Sequence, residues 1–138
     1  MNHFTYEEIS TGQTEEFSTV ITDEMLDSFR VITGDDNPLH RDDEYAKDRD
    51  YKGRVAYGML TASFMSTMAG VYLPGEHSLI QSVEAKFANP VYPGDKITVS
   101  GEVTEKNDTY RIIYLKVTMR NQKGEKVCRG KMQIGVME

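Results

Sequence analysis

Between Thr33 and His40 the chain reads Thr-Gly-Asp-Asp-Asn-Pro-Leu-His, so a carboxylate, an amide and an imidazole fall within six residues. Asp35 and His40 are the pair that could do chemistry. An imidazole takes up and releases protons near neutral pH, because its unperturbed pKa is about 6.5. A carboxylate alone is too weak a base for that task unless its site raises its pKa. Held on one fixed bend, the two can share a water, deprotonate it and return the proton. The backbone supplies the bend. Pro38 has no N–H for a ladder and pushes Asn37 into the extended region, and Gly34 permits angles that a side chain forbids. Asp-Asn-Pro is also ordinary turn chemistry, with side chains bonding their own backbone. Asn37 is therefore read as a brace of the bend.

The neighbouring elements must hold that bend in place. Glu15 to Ile21 has the β-branched content of a strand, with Phe17 and Val20 as core contacts. Thr22 can cap a helix that carries Asp23 and Glu24 in its first turn and ends at Gly34. Its apolar face is Met25, Leu26, Phe29 and Ile32. Asp42 or Asp43 caps a second, short helix over 43–49, with Tyr45 and Ala46 facing inward. Residues 1–14 are polar and read as an arm along the domain.

The run from Val55 to Gly75 contains no charge, and 13 of its 21 residues are apolar. A membrane span needs about 20 predominantly apolar residues, and Gly, Ser, Thr and Pro interrupt this one. It reads instead as a helix from Gly58 to Tyr72, buried on nearly every side, whose small residues let another backbone come close. Four stretches of period-two alternation follow. The inward sets are Val83, Ala85 and Phe87; Ile97, Val99, Gly101 and Val103; Ile113, Leu115, Val117 and Met119; and Cys128, Met132, Ile134 and Val136. Four such strands with short turns predict an antiparallel meander with one buried face. The fold class is α+β, one domain over residues 1–138, with a sheet around a long helix.

Composition narrows the function. With 138 residues, 38% hydrophobic and 28% charged, the chain is an ordinary globular domain. A net charge of −6 provides no basic surface for nucleic acid. One cysteine, Cys128, allows no internal disulfide and no cysteine zinc site, and His3, His40 and His77 lack metal-ligand spacing. Cys128 falls on the inward face of a strand, where a buried cysteine is usual. The first residues lack the charged and apolar segments of a signal peptide. The expectation is a cytoplasmic protein, not bound to membrane, and without a metal.

Phe29 through Ala46 resembles the signature of the MaoC-like, (R)-specific enoyl-CoA hydratases. Tyr57-Gly58-Met59-Leu60 is similar to that family's landmark at the start of the central helix, and Phe87 to Asp95 resembles its following strand and turn. The resemblance covers nearly the whole chain. It implies a hotdog fold, a homodimer and action on acyl thioesters; coenzyme A is favoured over acyl carrier protein as the carrier, the choice between them staying open at this point, and no other cofactor is expected. It implies that Asp35 and His40 are catalytic, that the Gly58 amide binds the thioester oxygen, and that Ser66 is the family's serine two turns into the helix. Family members commonly have histidine where this chain has Tyr57. The expectation is that activity survives the change and that acyl preference or affinity is altered.

The implied reaction is the hydration of trans-2-enoyl thioesters to (R)-3-hydroxyacyl thioesters, a lyase activity of fatty acid metabolism. Water must be activated at the β-carbon, a proton must reach the α-carbon, and the enolate oxygen must be stabilised. Asp35 and His40 serve the first two steps. Gly58 at a helix N-terminus offers an unpaired N–H and the positive end of the dipole for the third. Ser66 either holds the dyad or its water, or is a small polar residue on a buried helix. Thioester hydrolysis uses the same helix end with attack at the carbonyl, and a non-catalytic acyl-thioester-binding module is the third reading. The paired Asp35 and His40 favour hydration.

Overall fold

The computed structural model describes all 138 residues. Strand β1 spans Thr14–Val20, helix α1 Asp23–Thr33, helix α2 Asp43–Lys47 and helix α3 Gly58–Thr67. Strands β2 to β5 are Ser78–Phe87, Lys96–Asn107, Ile112–Arg120 and Lys126–Val136. A π-helical turn, Met68–Tyr72, prolongs α3, so the helical run ends where the sequence places it. Thr22 caps α1 through a 3.2 Å bond from the Met25 N–H. Gly34 ends it in the left-handed conformation, at φ 74°. That angle suits a residue without a Cβ and turns the chain into the Asp35–His40 bend.

The strands form one antiparallel sheet in the order β1-β3-β4-β5-β2. The expected four-strand meander is therefore three strands long, β3 to β5. Strand β2 does not pair with β3 but crosses to the far side of β5, with Phe87 opposite Cys128. The alternating residues of β3 and β4, and Cys128, Met132, Ile134 and Val136 of β5, are buried as the period-two pattern requires. They face α3 and its π-helical turn, which contribute Met65, Met68 and Ala69 to the core. Close approach comes from small residues in the strands rather than in the helix. A Cβ on Gly101 would lie 2.7 Å from the Met68 sulfur, and one on Gly130 would collide with the end of Met65.

Several residues expected inside lie outside. Val83 and Phe87 are about half exposed because β2 is an edge strand with no strand on its outer side. Val20 and Ile32 are also exposed, whereas Leu26 and Ile21 take the core positions. Helix α3 is not enclosed on nearly every side: Thr61 and Met65 are buried, but Met59, Ser63 and Ser66 form an exposed stripe. The N-terminal arm is more than a polar strap, since Tyr6 and Ile9 enter the core. No helix is long and apolar enough to cross a membrane.

Candidate active site

The bend is a chain of side-chain caps. Thr33 Oγ1 accepts from the Asp35 N–H, Asp35 Oδ1 from the Asn37 N–H, and Asn37 Oδ1 from the Leu39 N–H at 3.0 Å. Asn37 thereby caps the short 3₁₀ turn Pro38–His40, the bracing role read from its type. Asp36 binds Arg30 at 2.6 Å and Arg41 at 3.3 Å, tying the bend back to α1. These pairs are exposed and add little stability. Their effect is on geometry.

His40 is positioned by partners that are remote in sequence. Its Nδ1 lies 2.7 Å from the Val55 carbonyl oxygen. A carbonyl can only accept, so Nδ1 carries the proton and Nε2 is left as the basic nitrogen. The Tyr57 ring packs on the imidazole with centroids 4.2 Å apart, and on Phe29 at 4.8 Å. Val55 is held from both sides: its N–H donates to the Leu39 carbonyl, and Ala56 next to it bonds to Val91.

Tyr57 touches both Asp35 and His40. Its hydroxyl donates a 2.6 Å bond to the Asp35 backbone carbonyl, while its ring is against His40. Burial, with the Asp35 charge as a further cause, pushes the Tyr57 phenol above its ordinary pKa, which keeps it a donor. The residue thus braces the bend that carries Asp35 and His40. Tyr57→Phe keeps the rings and removes the bond. The expected result is a loss of about 1 kcal/mol, read as a fall of a few degrees in thermal midpoint, together with slower turnover. A variant unchanged in both would show that the hydroxyl does not hold the bend.

A cleft of ≈ 270 Å³ opens beside His40, and its walls include Gly58, Thr61, Phe87, Val91 and Val127. His40 and Gly58, far apart in the chain, are brought to one place. Helix α3 starts at Gly58 with no side-chain cap. The Gly58 N–H bonds to nothing in the chain. It is the donor an oxyanion would need. The Asp35 carboxylate is outside the cleft wall and exposed, within the turn that bears His40. Ser66 lies on the exposed stripe of α3, also outside the cleft. Phe87, Thr61 and the Val55 carbonyl were not singled out from the sequence. A backbone acceptor leaves no mark there, and Thr61 is one of several hydroxyls on an apolar helix.

A larger concavity, ≈ 580 Å³, lies over β1, β3 and β4, but no hydrophobic residue lines it and it holds no imidazole. No group of three or more His, Cys, Asp or Glu side chains converges as a metal site would require. Burial pushes the Cys128 thiol up, which leaves it a poor nucleophile.

A family model described as MaoC like domain matches residues 6–125. The chain belongs to the MaoC-like domain family. Two curated relatives are (R)-specific enoyl-CoA hydratases. That of Rhodospirillum rubrum is 34% identical over 99 residues, 72% of this chain and 69% of the relative. That of Aeromonas caviae is 30% identical over 122 residues, 88% and 91%. The unliganded R-hydratase PhaJ1 of Pseudomonas aeruginosa superposes with a TM-score of 0.92 at 32% identity, over 99% of this chain and 87% of that one. This MaoC-like protein thus has the hotdog fold of those hydratases, a sheet wrapped on a central helix.

Proposed function

We propose that this MaoC-like protein hydrates trans-2-enoyl-CoA thioesters reversibly to (R)-3-hydroxyacyl-CoA. The observation that carries the reading is the opening of one cleft onto both the His40 imidazole and the uncapped Gly58 amide. In the forward direction a water held by Asp35 and His40 attacks the β-carbon. As the oxygen–carbon bond forms, the water's proton passes to His40 Nε2 and the double-bond electrons move towards the thioester oxygen. The Gly58 N–H stabilises that charge at the positive end of the α3 dipole. His40 then delivers a proton to the α-carbon, and the carbonyl re-forms. No cofactor is needed beyond the coenzyme A carried by the substrate, and the reading is of a cytoplasmic enzyme. Incubating the protein with crotonyl-CoA tests it: loss of double-bond absorbance with formation of the (R)-3-hydroxy product is expected. Release of free thiol without hydration would favour the thioesterase reading.

The working unit in this proposal is a homodimer. Strand β2 is a free edge, and Leu79, Ile80, Val83 and Phe87 along it are all exposed, as is Met59 of α3. An apolar unpaired edge is a template for another strand, and a second copy covers it. Light scattering should give twice the 15.7 kDa mass of the chain at micromolar concentration. Val83→Lys, which sets a charge on that edge, should shift the species towards monomer. A wild-type monomer would remove the dimer.

A further inference from the structure

Thr61 is buried, 2% exposed, and its Oγ1 is the one buried side-chain oxygen or nitrogen without a hydrogen-bond partner. It faces the same cleft as His40 and Gly58. A helical threonine normally turns its hydroxyl to the carbonyl three or four residues back. Here the carbonyl four back, that of Tyr57, already accepts the Leu60 and Thr61 N–H groups at 3.1 and 3.2 Å. A hydroxyl left without a partner in a dry wall is destabilising, and removing it while keeping the shape is nearly neutral or stabilising. Its position suits a bound ligand. Residues three apart share one helix face, and helical side chains lean towards the N-terminus. The Thr61 side chain therefore leans towards the first turn of α3, where Gly58 presents its unused amide, and both residues line the cleft.

We propose that the Thr61 hydroxyl is a second hydrogen-bond donor to the substrate's thioester oxygen, acting with the Gly58 N–H. The inference rests on the acyl-thioester reading of the site. An oxygen that gains charge during reaction is better held by two fixed donors than by one, provided both are aimed before the charge develops. The Thr61 oxygen is closed to solvent in the unliganded protein, so the hydroxyl becomes such a donor by a turn about χ1 as the carbonyl seats, before the charge develops. It accepts no proton and forms no covalent bond. The hydroxyl bonds the ground-state carbonyl and bonds the enolate more strongly, so its loss should weaken binding of a saturated thioester and lower kcat as well.

Thr61→Val removes the hydroxyl and keeps the branched shape, whereas Thr61→Ser keeps the hydroxyl and loses the methyl. With crotonyl-CoA, kcat of the Val variant should fall about tenfold or more. Its thermal midpoint should stay level or rise, and the Ser variant should keep a rate within about threefold of wild type on the same grounds. A Val variant with wild-type kcat, or a Ser variant as impaired as Val, overturns the proposal, because the hydroxyl would then be satisfied by water or serve only by shape. Should the wild type hydrate no enoyl-CoA, the hydratase reading fails separately. Binding of butyryl-CoA, a saturated thioester with the same carbonyl, then decides for Thr61. Weaker binding by the Val variant supports the donor, and equal affinity overturns it.

Discussion

His40→Ala is expected to lower hydration of crotonyl-CoA at least about a hundredfold, the scale of a lost general acid–base group. The substitution removes the one basic nitrogen in the cleft, while the caps that build the bend come from Thr33, Asp35 and Asn37 and remain. A fall in thermal midpoint is expected to be small, because the imidazole is only half-buried and packs on Tyr57 from one side. Asp35→Asn should have an effect of the same order. It is the more searching substitution, because an asparagine oxygen can still accept the Asn37 N–H that Asp35 Oδ1 accepts now. The turn is kept and the charge is lost. Asp35→Asn at full rate would mean that the carboxylate is a turn acceptor and nothing more. Either variant turning over near the wild-type rate would remove the proposed mechanism.

The second large effect is expected at Gly58. Blocking one oxyanion donor lowers kcat by about 10²–10³-fold in comparable sites. Gly58→Val should do so by keeping the carbonyl away from the amide. The first turn of a helix tolerates most residues, but a valine here meets a neighbour. A Cβ at this position would lie 3.2 Å from the Phe87 ring, tighter than ordinary contact. Phe87 is 51% exposed and can turn away, so the expected cost in stability is modest. The double variant Gly58→Val with Phe87→Ala separates the two causes. If the valine acts by pushing Phe87 into the cleft, removing the ring restores turnover. If it acts by denying the oxygen its donor, the double variant stays inactive. Restoration, or a single variant that unfolds early or keeps its rate, would mean that Gly58 is not the oxyanion residue.

Much of this could be read before any fold was known. Asp35, Asn37 and His40 lie in one short bend, and turn chemistry is local, so their types and spacing predict its caps. Thr22 and Gly34 delimit α1 by the rules for helix ends. Period-two alternation identifies the inward residues of β3, β4 and most of β5. Alternation states which face is apolar and not which strand lies alongside, so the crossing of β2 to the far side of β5 had no local signal. For the same reason Val83 and Phe87, apolar and alternating, ended on an uncovered edge. A pattern can show that a residue needs cover without showing whether its own chain provides it.

The site divides along the same line. That an imidazole and a carboxylate could work on water follows from their chemistry and their separation by five positions. Which nitrogen of His40 is basic depends on the Val55 carbonyl, a backbone group that every residue carries. The bracing by Tyr57 and the unpaired state of the Thr61 hydroxyl depend on contacts that form only when α3, the bend and the Val91 loop close together. The sequence therefore determined which groups are available for the chemistry. Their protonation, aim and pairing were decided by tertiary structure, because each is a property of the partner a group meets.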